Sequence, residues 1–215
     1  MFIAICQSFV ALSFVKMQTM KKFLIPIVAL SLFALVGCEK KPVAVSQSIA
    51  NPKPTMNLAL LNFEVTGYPN GASMPAKFAT KQGGGENISI GFKWQPVPAA
   101  QSYALLFDDR APVARNWVHW LVADIPITVT GIPEGASRTA QMPEGSLELV
   151  TSWGQKGYNG PQPPIGSGNH EYVATLFALD TAKLSVPENP SRSEFLNAVE
   201  KHEITRESWS GFFQR

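Results

Sequence analysis

The sequence predicts a mainly β fold. Short apolar segments alternate with clusters of Gly, Pro, Asn and Ser throughout the C-terminal three quarters of the chain, and only one segment there has the apolar spacing of a helix. The apolar fraction, 45% of 215 residues, is that of an ordinary globular protein able to bury a core.

LALLNFEV (58–65) is the first strand candidate, followed by the turn-rich YPNGAS. NISIGFKW (87–94) and SYALLFD (102–108) are the second and third. WVHWLVADI (117–125) is apolar on both faces and is therefore expected at the centre of a sheet. IPEG (132–135) and MPEG (142–145) read as turns, and LELVTSW (147–153) and YVATLFALD (172–180) complete six strands. In SRSEFLNAVEKH, Ser191 and Glu194 form a capping box, and Phe195, Leu196 and Val199 make one apolar stripe. That helix is expected against a sheet edge.

The N-terminal part reads differently. Lys21 and Lys22 precede an uncharged apolar run, Phe23 to Val36, too short for a comfortable membrane span and ending in Leu35-Val36-Gly37-Cys38. Residues 1–37 read as a secretory signal, with Met17 or Met20 as a start equally good as Met1. The pattern around Cys38 is that of a bacterial lipoprotein signal, in which Cys38 becomes the lipidated first residue; a simple signal peptide that happens to contain cysteine is the alternative. Residues 38–56 then form the lipidated cysteine and a Pro-containing tether, able to reach up to about 60 Å at ~3.3 Å per residue. The domain follows over 57–215. With Cys6 and Cys38 removed or modified, no disulfide is expected.

Lys16, Lys21 and Lys22 leave with the leader and no acid does, so 18 bases become fifteen against 16 acids, a net charge of −1. A near-neutral secreted domain without a basic run gives no support to nucleic-acid binding. The expected location is the cell envelope, facing the periplasm. Glu39 is not the aspartate expected of inner-membrane retention, which points to the outer membrane.

Three segments place polar residues where a core prefers carbon. Strand alternation puts Tyr103, Leu105 and Phe107 on one face and Ala104, Leu106 and Asp108 on the other. His119 sits mid-strand, sharing its face with Trp117 and Leu121 by the same rule, and His170 and Tyr172 point the same way. Buried imidazoles and carboxylates need partners, so these residues ask for a shared site. Taken singly, each has a plainer reading: His119 as a core histidine bonded to a backbone carbonyl, Asp108 as a turn cap, His170 as exposed. Ahead of His170, GPQPPIGSGN (160–169) alternates stiffening prolines with permissive glycines, as a preorganised loop would.

As a set, these segments resemble the phosphatidylethanolamine-binding proteins, in their bacterial Raf-kinase-inhibitor-like branch. Asp108-Asp-Arg-Ala-Pro112 stands for the family's D-P-D-A-P, and Val118-His119-Trp120 for its V-H-W. Gly160-Pro-Gln-Pro-Pro-Ile-Gly166 with His170 and Tyr172 stands for G-x-x-P-P-x-G…H-x-Y. The resemblance implies a large antiparallel sheet packed with a smaller one, Greek-key-like, with few peripheral helices. It also implies a small pocket for anions such as phosphate or phosphoryl head groups, walled by Asp108, Trp117, His119, Gly160, Pro163, Pro164, His170 and Tyr172. Chemically, two imidazoles and a tyrosine hydroxyl would donate to the anion, and Asp108 would orient one histidine. Asp109 and Arg110 depart from the family pattern, Arg110 replacing an acid.

The resulting expectation is a non-enzymatic binding protein without cofactor or metal, anchored in the membrane through Cys38. Its ligand would be a small anion or phosphorylated molecule, and its pocket rim could grip a protein partner. The alternative is a hydrolytic enzyme using Asp108, His119 and His170 as a metal site or an acid/base set. Against it, the chain has no G-x-S-x-G, no H-E-x-x-H and no reactive thiol.

Overall fold

The computed structural model describes residues 60–215. The signal, Cys38, the tether and residues 58–59 of the first expected strand lie outside them. The described chain forms β1 (Glu64–Val65), β2 (Ala72–Ser73), β3 (Phe92–Lys93), β4 (Ser102–Asp109), β5 (Trp117–Pro126), β6 (Gly131–Ile132), β7 (Leu147–Glu148), β8 (His170–Leu179), α1 (Arg192–Glu200) and β9 (Glu203–Phe213). A six-stranded sheet runs β2-β9-β8-β4-β5-β7, and a three-stranded sheet runs β1-β3-β6. All pairings are antiparallel except the edge pair β2–β9, which is parallel.

Both sheets bury one shared core. Phe63, Val65, Phe92, Trp94 and Ile132 from the small-sheet side meet Tyr103, Leu105, Phe107, Trp120, Val122, Leu176 and Trp209 from the large sheet. Aromatic rings knit the layer: Phe63 stacks on Phe92 at 5.1 Å, and Phe107 stacks on Tyr158 at 5.9 Å. The opposite face of the large sheet presents Ala104, Leu106, Leu121, Phe177 and Leu179 to Phe195, Ala198 and Val199 of α1. The helix begins at the expected capping box on Ser191 and Glu194, but it covers a sheet face rather than an edge. The reason is visible in β4, β5 and β8: buried on both faces, these strands need a second apolar layer.

Two differences from the sequence reading matter. β9, eleven residues long, was not among the six expected strands; only Trp209 and Gly211 along it are buried, so its apolar signal is thin. It pairs with the whole length of β8, from His170↔Phe213 to Leu179↔Glu203. The second difference is a β-bulge in β5. Phe107 pairs with Trp120 and Asp108 with Val118, which leaves His119 as an extra residue. Val118 and Leu121 therefore face α1, while His119 and Trp120 both turn toward the inter-sheet side. His119 does not share a face with Leu121 as simple alternation implies.

Candidate functional site

The C-terminal end of β4 and the starts of β5 and β8 lie side by side, with Asp109 paired to Trp117 on one side and Tyr172 on the other. A cavity of about 230 Å³ opens there. Trp117, His119, Pro163, Pro164, His170 and Tyr172 line it, as do Asp109, Val113, Ala114, Trp153 and Gln162. His119, His170, Tyr172 and Asp109 are almost wholly buried at its base. The mouth is apolar: Val113 is 60% exposed and Trp117 42%, and Ile165, next to the lining Pro164, is 81% exposed.

Two expected members are elsewhere. Asp108 turns to the α1 side, because it follows Ala104 and Leu106 in the strand's alternation, and there it accepts from Arg110 Nε and Arg192 Nε at 2.6 Å each. Asp109 occupies the place expected of Asp108. It continues the series Tyr103, Leu105, Phe107 by the same period of two, a signal present in the sequence. Gly160 does not line the cavity. Its N–H donates to Asn87 Oδ1 at 2.8 Å, and a Cβ at this position would overlap the Phe78 carbonyl oxygen, so only glycine lets the two backbones approach. Trp153 carried no motif; it packs edge-on against Trp117 at 5.9 Å and His119 at 6.0 Å.

The loop ahead of β8 is pinned from several sides. Thr80 N–H donates to the Pro161 carbonyl at 3.1 Å, and Thr80 Oγ1 donates to Gln162 Oε1 at 2.6 Å. Arg215 Nε donates to the Pro163 carbonyl at 2.8 Å. With three prolines already restricting the unfolded segment, little entropy is lost in holding this wall. Opposite, Arg115 and Asn116 take left-handed backbone angles, φ 51° and 57°, which reverse the chain and set Trp117 at the rim.

The polar base is specific in its bonding. His170 Nδ1 donates to Asp109 Oδ2 at 2.6 Å, and Asp109 Oδ1 accepts the Ala111 N–H at 2.9 Å. His119 Nδ1 donates to the Asn159 carbonyl at 2.6 Å, as the plain reading of a core histidine has it. Burial lowers the His119 pKa below the ordinary imidazole value, opposed by the Asn159 carbonyl and the Asp109 charge. Tyr172 is pushed far up, first by burial and then by the neighbouring Asp109 carboxylate, so its hydroxyl keeps its proton. That hydroxyl has no hydrogen-bond partner of acceptable geometry among the described residues. Asp108, His119 and His170 do not converge, and among the described residues no group of three or more His, Cys, Asp or Glu is placed to hold a metal ion.

A two-sheet β fold with a small, polar-floored cavity at one end of its large sheet defines a ligand-binding class of domain rather than a chemistry. The comparisons make it specific: the family model described as phosphatidylethanolamine-binding protein matches residues 65–214, and the chain belongs to that family. A UPF0098 protein of Methanothermobacter thermautotrophicus is 33% identical over 156 residues, covering 72% of this chain and 99% of the relative. The Mycobacterium tuberculosis protein described as "Putative lipoprotein LppC" is 34% identical over 61% of each chain. Among solved structures, the crystal structure of Escherichia coli YbcL, titled a new member of the mammalian PEBP family, superposes with a TM-score of 0.67 at 26% identity. That match covers 73% of this chain and 99% of YbcL.

Proposed function

We propose that the cavity binds a small anion or phosphoryl group and that the protein is a non-enzymatic binding protein of the bacterial envelope. One observation carries this reading: the unpaired, protonated Tyr172 hydroxyl lies at a buried base beside the one free ring nitrogen of His119. A buried donor without a partner costs about 1–3 kcal/mol, which an oxygen-bearing ligand would recover. The pinned proline loop keeps the wall in place before the ligand arrives.

The hydrolase alternative loses its carboxylate, because Asp108 serves two arginines on the opposite face and Asp109 is already bonded to His170 and Ala111. The exposed rim of Val113, Trp117 and Ile165 favours a further role, contact with a protein partner over the pocket mouth. Anchoring through a lipid on Cys38, facing the periplasm from the outer membrane, extends the signal pattern read from the sequence and is supported by the lipoprotein-described relative. Palmitate labelling that is lost in Cys38→Ala is the expected result for the anchor; labelling of neither chain contradicts it.

Thermal shift with methyl phosphate tests the pocket. Ligand at about 100 Kd stabilises by ~2.7 kcal/mol, and both His119→Ala and Tyr172→Phe should abolish the shift. No shift in the parent protein contradicts the reading.

A further inference from the structure

This inference rests on the oxyanion reading of the cavity and concerns the proton that accompanies the ligand. Each polar group at the base can be given a donor or acceptor role. Ser167 Oγ lies 2.6 Å from the Pro164 carbonyl, to which it donates, and 2.9 Å from His170 Nε2. His170 Nδ1 donates to Asp109 at 2.6 Å. Both ring nitrogens are therefore engaged within the protein, and His170 presents no free donor to the cavity.

His119 is the reverse case. A carbonyl only accepts, so the 2.6 Å bond to Asn159 places the hydrogen on Nδ1 and leaves Nε2 a bare lone pair in the neutral ring. The groups around this ring are Asp109 from β4, His170 and Tyr172 from β8, and the uncharged Trp153 and Gln162 from the loops. Asp108 is paired on the other face with Arg110 and Arg192, and Arg215, bonded to the Pro163 and Gln82 carbonyls, is the cation whose charge reaches Tyr172. The lining thus holds two buried donors without a well-aligned partner among the described residues, the Tyr172 hydroxyl beside Asp109 and the Trp153 Nε1–H, and one free acceptor, His119 Nε2. A fully deprotonated oxyanion would set lone pair against lone pair at that nitrogen.

We infer that the pocket takes its oxyanion together with one proton, shared between a ligand oxygen and His119 Nε2, while Tyr172 donates to a second ligand oxygen. A phosphomonoester near its second pKa, about 6, brings that proton as P–OH. A diester, which has none to bring, must have it drawn from water onto Nε2. Burial of the ring, which disfavours the imidazolium in the empty site, is what keeps the proton off until a ligand anion stabilises it.

Calorimetric titration of the full chain in detergent, with methyl phosphate and with dimethyl phosphate at pH 8, tests this. Repetition in buffers of different ionisation enthalpy counts the protons. About one proton should be taken up per ligand in both titrations, with Kd rising about tenfold per pH unit between 7 and 9. The diester cannot be protonated in this range, so its proton must reside on the protein. His119→Gln, whose amide can donate without titrating, should bind dimethyl phosphate with uptake near zero and less than about a twofold change in Kd over the same range. Tight binding with no proton uptake in the parent chain overturns this inference alone, and so does unchanged uptake in His119→Gln. Binding of neither phosphate overturns the pocket reading with it.

Discussion

Asp108 and Asp109 are neighbours in sequence, both buried, at the end of the same strand, and they do opposite work. Asp108 faces α1 and is held between two partly exposed guanidiniums, tying the sheet to the first residue of the helix. Asp109 faces the cavity and fixes a histidine. One step along a strand thus separates architecture from site chemistry, which is why a motif alone does not say which acid belongs to the pocket.

Substitutions on the two faces should separate in the same way. The largest effect is expected at Gly160, behind the pocket wall: Gly160→Ala forces a methyl group into the Phe78 carbonyl and should cost about 3 kcal/mol or more in denaturant unfolding. Asp108→Ala comes next. It leaves two arginines without their carboxylate and should cost about 2–3 kcal/mol, less than a fully buried pair because both guanidiniums can relax into water, with methyl phosphate affinity unchanged. Asp109→Asn should reverse the pattern, costing about 2 kcal/mol while weakening methyl phosphate binding at least tenfold. Equal effects of the two aspartates on binding would erase the distinction.

A smaller effect separates the faces by pH. The His119 pKa is lower in the folded chain than in the unfolded one, so below about 6.5 the unfolded state binds more protons. Stability should therefore fall as pH drops through 6.5 toward the folded value. His119→Gln should flatten that limb of an unfolding-versus-pH series, whereas Asp108→Ala should leave its shape intact. Trp117→Ala, at a half-exposed rim position, should change stability by less than about 1 kcal/mol.

Much of this was legible in the chain. Strongly apolar β4, β5 and β8 and the capped helix stand out because burial on both faces and side-chain capping leave local marks. His119, His170, Tyr172, Trp117, Pro163 and Pro164 share the cavity. β9 was not legible, since its stability comes from pairing along β8 rather than from its own apolar pattern. The bulge at His119 was invisible too, because an inserted residue shifts the face of a side chain without changing the sequence signal. Asp109 could have been found by extending the alternation of β4 by one more step, and Gly160 shows that a motif glycine can serve close backbone packing instead of a ligand.

The chain contains three histidines, two at the cavity base and His202 paired with Asp180 at the surface. A ¹⁵N NMR titration of their imidazoles with methyl phosphate therefore reads the proposed pocket directly. The His119 Nε2 resonance should move by tens of ppm toward the protonated range, with a smaller change at His170 and none at His202. Movement at His202 alone, or at no ring, would contradict the account.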